Sequence, residues 1–221
     1  MSLADFFSAP SVAGLARLLE AKLRGGADLQ APPLLPVPRG GGLPLSSAQR
    51  RLWFLERLNP GEPAYIMPTA MRLSGRLDVA SLERSLNEIV RRHESLRTSF
   101  VEVDQSPLQI VTPEAAVALP VIDLSGLGEG AREAETARIG TAEIRRPFDL
   151  ARPPLLRASL LRLGTEEHAA FFAMHHIVSD GWSMGVLVRE TTALYAACVT
   201  GAPPSLPDLP VQYADYAVWQ H

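Results

Sequence analysis

One run of residues limits the possible folds more than any other. His168 to Met174 is a short, mostly apolar stretch, and Trp182 to Val199 repeats apolar residues at helical spacing. Only the residues 175–181 separate the two, which reads as strand, tight turn, helix. The join is His175-His176-Ile177-Val178-Ser179-Asp180-Gly181, so two adjacent histidines sit where the strand ends. A strand end aims an imidazole rigidly, and the loop after it is a common place for chemistry.

Neighbouring strand side chains point to opposite faces. If strand geometry runs through both, His175 and His176 cannot share one cavity: one looks into a site and the other into packing. Imidazole titrates nearest neutrality of all side chains, which suits proton transfer. Asp180 can accept a hydrogen bond from an imidazole, pair with an arginine from elsewhere, or cap the helix that follows. Gly181 can take backbone angles closed to other residues, or let a ligand approach the main chain. The same residues also fit a satisfied polar corner with no catalysis in it. A metal site does not follow from them, because five histidines and one cysteine show no second ligand cluster.

The turn, read as His-His-x-x-x-Asp-Gly from His175 to Gly181, resembles the active-site motif of nonribosomal peptide synthetase condensation domains. Four further stretches agree in order and spacing. Ser46-Ser47-Ala48-Gln49-Arg50-Arg51-Leu52-Trp53 resembles the opening motif of that family, and Arg92-His93-Glu94-Ser95-Leu96-Arg97-Thr98-Ser99-Phe100 its second. Arg146-Pro147-Phe148-Asp149-Leu150 is similar to a piece between them and the turn, and Tyr213-Ala214-Asp215-Tyr216-Ala217-Val218-Trp219 to the motif after it. The resemblance covers Pro44 to His221. It implies the chloramphenicol acetyltransferase-like fold, an α+β lobe in which helices cover a mixed sheet. This chain reaches through the first of the two lobes of such a domain.

The resemblance also assigns roles. His176 would accept a hydrogen bond or proton from an attacking amine, or steady the intermediate. His175 would shape the turn, and the Gly181 amide would face the reaction centre at the mouth of the next helix. In that family an arginine of the second motif pairs with the active-site aspartate. By position that is Arg92 with Asp180, and Arg97 is the second choice. The implied reaction is amide formation between two thioesters tethered to carrier domains. No cofactor binds directly; the 4′-phosphopantetheine arms come with donor and acceptor peptidyl carrier domains. The other implied partners are the missing C-terminal lobe and an adjacent adenylation domain.

Relatives with altered chemistry leave marks that can be checked. Heterocyclising members carry aspartate at the first histidine, and His175 stands against that. Recruitment domains usually lose the second histidine, and His176 stands against that. Epimerising members keep the pair, but Arg92 to Phe100 is more similar to condensing members that take an L-configured donor. Other acyltransferases share His-x-x-x-Asp, which His176 and Asp180 satisfy. A non-catalytic, carrier-binding lobe is a further alternative, since half of a site built between lobes is absent.

The 221 residues carry a net charge of −3, with scattered arginines beside acidic neighbours, which gives no basis for nucleic-acid binding. Cys198 is the single cysteine and cannot form an internal disulfide, so a reducing cytoplasm fits. No stretch has the length and apolarity of a membrane span, and the N-terminus lacks a signal-peptide pattern.

Three parts follow in order. Residues 1–24 read as helical, with Phe6, Phe7, Val12, Leu15, Leu18 and Leu19 at helical spacing and a restart at Pro10-Ser11. They resemble the C-terminal helix of a carrier domain. Residues 25–43 are rich in Pro and Gly and read as a linker. Residues 44–221 form the lobe. Within it, Ser46 and Gln49 have capping-box spacing for a helix to Leu58, its stripe being Ala48, Leu52 and Leu55. Asp78 caps a helix over Val79 to His93. Strands are expected at Thr69 to Ser74, Arg97 to Val103, Pro107 to Thr112, Leu119 to Leu124 and Leu155 to Leu163. Helices are expected at Glu129 to Arg145 and from Val211 to Gln220.

Overall fold

A computed structural model describes residues 3–24 and 32–221. The part of the expected linker at 25–31 lies outside the described residues. Two compact units result, Met1–Pro33 and Leu34–His221.

The first unit holds α1 (Leu3–Ser8) and α2 (Val12–Arg24). Proline lacks a backbone donor, and the chain restarts at Ser11, whose hydroxyl accepts the Gly14 N–H at 3.1 Å. Phe7 and Val12 are exposed.

The second unit runs β1 (Leu43–Pro44), α3 (Ser47–Leu58), β2 (Ile66–Ser74), α4 (Val79–Arg92), β3 (Thr98–Val103) and β4 (Ser106–Val111). It continues with β5 (Val121–Asp123), α5 (Glu129–Arg145), β6 (Leu156–Arg162), β7 (Glu167–His175), α6 (Gly181–Thr200) and α7 (Tyr213–Trp219). Local chemistry sets several of these ends. Ser46 and Gln49 form a reciprocal capping box at α3, and Asp78 accepts the Ser81 N–H at the start of α4. Gly201 ends α6 in the left-handed conformation, at φ 71°.

The strands form two sheets, and the larger is mixed, as expected. The larger has the order β2-β7-β6-β5, antiparallel except for the parallel pair β5–β6. The smaller has the order β1-β4-β3 and is antiparallel throughout. Leu155 N–H to Leu96 O and Phe100 N–H to Leu150 O tie the two regions together, as isolated bonds and not a ladder.

Strand β7 is interior to its sheet, and its alternating side chains explain the layers. Ala170, Phe172 and Met174 meet α4 and α6 in the main core, with Leu86, Ile89, Leu187 and Leu194. Ala169 and Phe171 face the opposite way, toward Ile139 of α5. A third cluster gathers Leu45, Leu52, Phe100, Leu150, Leu155 and Ile177, with Trp53, Tyr65 and Phe148 around it.

One expectation needs correcting. Ala48 is exposed, and Gln49 takes its place in the buried face of α3 because the capping box turns that residue inward. Residues 34–42 belong to the second unit, where the Val37 N–H and the Arg39 guanidinium both bond Asp215, at 2.8 and 2.7 Å. Proline content made this stretch extended, and specific polar contacts then fixed it.

Candidate active site

His175 is the last residue of β7, opposite Ile66 of β2. It keeps the parity of Ala173 and Phe171 and turns into the third cluster, where it is 2% exposed. Tyr65 and Phe148 flank the ring, with centroids at 6.5 and 6.2 Å. Its Nδ1 accepts the Ile177 N–H at 3.0 Å, so the neutral ring carries its proton on Nε2. Burial, and then the neighbouring His176, push its pKa from 6.5 down to about 4. His175 is thus a neutral ring at pH 7, built into the packing.

His176 goes the other way. Its N–H still pairs with Tyr65 O at 2.8 Å, but the strand has ended and the side chain is exposed. Its Nδ1 lies 2.6 Å from Ser179 O. A carbonyl only accepts, so Nδ1 carries the proton and the Nε2 lone pair is directed away from the turn. Ser179 is itself fixed, its hydroxyl donating to His175 O at 3.0 Å. The two histidines therefore divide, although β7 ends at the first: the His175 ring holds the turn, and the His176 ring is presented by it with an open nitrogen.

Asp180 caps α6. Its Oδ1 accepts from Ser183 N at 2.8 Å and from Ser183 Oγ at 2.7 Å, and these bonds hold its pKa below the usual carboxylate value. The expected pairing with Arg92 is not found. Arg92 Nε binds Glu190 Oε2 at 3.0 Å, and another of its nitrogens binds Pro207 O. The reason is geometric. Arg92 ends α4, which packs along α6, and Glu190 lies roughly 15 Å further along that helix than Asp180. His93 joins the same carboxylate at 2.8 Å.

Arg97 does not reach Asp180 either. It binds Thr112 O and, at 3.4 Å, Arg91 O, and it lies 3.6 Å from Glu94. Both arginines brace the second motif and stand apart from the histidine turn. Gly181 opens α6 without a positive φ, so of its two readings the unusual backbone is not used, and no atom would lie within 4 Å of an added Cβ. What it offers is an exposed amide at a helix N-terminus.

Three features were not singled out from the sequence. Trp182, in the first turn of α6, is 82% exposed, which is unusual for the largest apolar side chain. Met174, Val178, Ser183 and Leu187 border a cavity of about 300 Å³ that extends to His93 and Gln212. Glu56 of α3 lies 3.7 Å from His175 Nε2. An exposed Trp beside Asp-Gly could have been noticed from the sequence; the other two depend on distant segments meeting. Among the described residues no three His, Cys, Asp or Glu side chains gather as metal ligands. No described helix is long and apolar enough to cross a membrane.

Comparison with known proteins places this geometry. The chain is 45% identical over 214 residues to a linear gramicidin synthase of Brevibacillus parabrevis, covering 97% of this chain and 3% of that protein. It is 48% identical over 195 residues to chondramide synthase cmdD of Chondromyces crocatus, covering 88% of this chain and 5% of that one. Among solved structures, the X-domain from teicoplanin biosynthesis superposes with TM-score 0.74 at 34% identity, over 85% of this chain and 40% of that one. The first condensation domain of the calcium-dependent antibiotic synthetase, in complex with substrate analogue 2a, gives 0.70 at 29%, over 77% and 41%. The chain thus spans a few per cent of these two synthetases and about two fifths of the two solved neighbours. The condensation-domain family model matches residues 40–221, so that the histidine turn, its capped helix and the chloramphenicol acetyltransferase-like lobe around them belong to a member of the condensation-domain family.

Proposed function

We propose that this lobe supplies the histidine side of a site for peptide-bond formation between two carrier-bound thioesters. The observation that carries the reading is the tautomer of His176, whose Nδ1 is committed to Ser179 O and whose Nε2 faces outward as an acceptor. The α-amine of an acceptor aminoacyl thioester attacks the carbonyl of the donor acyl thioester. A C–N bond forms, the C–S bond breaks, the amine gives up a proton, and the departing pantetheine sulfur leaves as thiolate and takes one up. An α-amine has a free pKa of about 7.7 to 8.0, so a useful fraction is already neutral at pH 7.

Orientation therefore ranks above proton abstraction. Holding two reactants in line is worth about 7 to 11 kcal/mol, against about 10²- to 10⁴-fold from one general base. His176 Nε2 accepts the hydrogen bond of the amine, and the Gly181 amide at the α6 N-terminus favours the oxyanion. Donor and acceptor carriers bring the phosphopantetheine arms, an adenylation domain loads a carrier, and the donor is L-configured. Residues 1–24 are read as the end of the upstream carrier. The working protein is a cytoplasmic synthetase, with a second lobe completing the site above Trp182. The lobe alone is then inactive.

The test is His176→Ala in a synthetase module carrying this segment. Condensation should fall by about 10² or more while both carriers still load. Near-normal peptide formation would overturn the assignment. A second reading, a non-catalytic docking lobe, draws support from the similarity to a teicoplanin X-domain, a structure also solved in complex with OxyB. It predicts that His176→Ala leaves partner binding intact and that no turnover exists to lose.

A further inference from the structure

The catalytic turn is held by atoms of His175. Its Nδ1 accepts the Ile177 N–H at 3.0 Å, and its carbonyl accepts the Val178 N–H and the Ser179 hydroxyl, both at 3.0 Å. Ser179 O in turn receives the Nδ1 proton of His176. The arrangement works only while His175 Nδ1 is an acceptor. A proton there would point at the Ile177 N–H, donor against donor. The neutral ring must therefore keep its proton on Nε2, in a site that is almost fully buried. That nitrogen has no hydrogen-bond partner among the described residues. A buried polar group of this kind calls for an explanation.

It faces a carboxylate. Glu56 Oε2 lies 3.7 Å from His175 Nε2, too far for a hydrogen bond and close enough for a charge to favour an N–H pointing at it. The other oxygen of Glu56 accepts the Gly61 N–H at 2.9 Å, which fixes the direction of the group. The geometry points to Glu56 as a positioning residue that holds His175 in its Nε2–H form and thereby keeps the turn that presents His176. Its effect on turnover rests on the reading of His176 as the reacting imidazole; its effect on the turn does not. This use of α3 is separate from that helix's packing role, and it connects the opening motif, Ser46 to Trp53 and its continuation, to the histidine turn.

The test uses Glu56→Gln. Glutamine has the same shape and keeps an oxygen for Gly61, but it then presents an NH₂ to His175. A residue that serves only packing or the Gly61 bond would be silent to this change. Long-range ¹H–¹⁵N correlation of the imidazoles in the full chain, at pH 7, should show His175 protonated on Nε2 and His176 on Nδ1. In Glu56→Gln the His175 proton should move or become mixed. Ile177 amide exchange should accelerate about tenfold while that of Gly61 stays unchanged. Glu56→Asp keeps the acceptor and should retain the native tautomer.

In a synthetase module the Gln variant should condense at least about tenfold more slowly, with carrier loading unaffected, as expected when a reacting group is misplaced. A wild-type His175 protonated on Nδ1 would overturn the proposal without any variant. So would a Gln variant with native tautomers and native Ile177 exchange. Shifted tautomers with undiminished condensation would uphold the hold of Glu56 on the turn and overturn the assignment of His176.

Discussion

Asp215 provides the sharpest stability prediction. Its side chain is 1% exposed, yet it is ionised and fully engaged. Oδ1 accepts from the Val37 N–H at 2.8 Å and the Arg39 guanidinium at 2.7 Å, and Oδ2 from the Gln212 N–H at 2.7 Å. Burial alone would raise its pKa; the bonds from Arg39, Gln212 and Val37 outweigh that and lower it below 3.8. Asp215→Ala leaves two backbone donors without their acceptor and removes one anion from a buried pair. Breaking such a pair costs about 3 to 5 kcal/mol. Arg39 keeps Glu94 at 2.7 Å and remains partly hydrated, so the lower end, about 3 kcal/mol, is expected. For a domain of this size that is a fall in Tm of roughly 6 to 12 °C. Calorimetry on the 221-residue chain reads it, and hydrogen exchange should show Val37 losing protection at the same time. A fall under 2 °C with Val37 still protected would refute the view that residues 34–42 are fastened through this carboxylate. Because the folded pKa is depressed, the contribution is complete above pH 3.8 and is lost as the pH falls through the lower folded value.

Two other expectations concern the turn. His175 has a pKa of about 4 against 6.5 when free, so it folds in its neutral form. Its contribution is fully present above pH 6.5 and drains away as the pH falls toward 4, by about 3 kcal/mol in all. Urea titrations across pH 7 to 4 should show most of that loss above pH 4.5, before the ordinary carboxylates titrate, and a flat profile between pH 6.5 and 4.5 would contradict it. Asp180→Ala removes the two bonds to Ser183 and should cost about 1 kcal/mol, or roughly 2 to 4 °C. Asp180→Asn retains an equivalent cap and should lie within a few tenths of a kcal/mol of the parent. Equal losses in both variants would mean that the charge, and not the cap, carries the effect.

What the sequence revealed was what is local. The ends of α3, α4 and α6 rest on Ser46 with Gln49, on Asp78 and on Gly201, each acting within a few residues of itself. The different placements of His175 and His176 follow from where β7 ends and the turn begins, and the strand-to-turn change is visible in the residue order. What stayed hidden depends on which distant segments meet. Arg92 meets Glu190 because α4 and α6 run side by side with a particular offset, and no spacing along the chain encodes that offset. The Pro/Gly composition of 25–43 describes stiffness and not docking, so the attachment of Val37 and Arg39 to Asp215 could not be read from it. Glu56 carries no local mark in the residue order, and only the fold sets it 3.7 Å from a buried imidazole.

The motifs are connected by a small set of polar contacts, and those contacts explain why they occur together. Gln212, which caps α7, donates to Arg92 O at 2.9 Å and accepts the Glu94 N–H at 3.1 Å, so the last motif grips the second. Arg39 bridges Glu94 and Asp215, adding the strap at 34–42 to the same knot. Arg92 and His93 then converge on Glu190 and fasten the end of α4 to the middle of α6. Asp180 caps the start of helix α6, so the position of that helix sets where the histidine turn can close. Arg92 is therefore linked to the histidine turn along the body of α6 and not through a salt bridge to its cap. An Arg92→Ala variant should accordingly loosen α4 against α6 and leave the Asp180–Ser183 bonds in place. Exchange rates would show this as lost protection around Glu190 with the Ser183 amide still slow, and the reverse order would restore the direct pairing to Asp180.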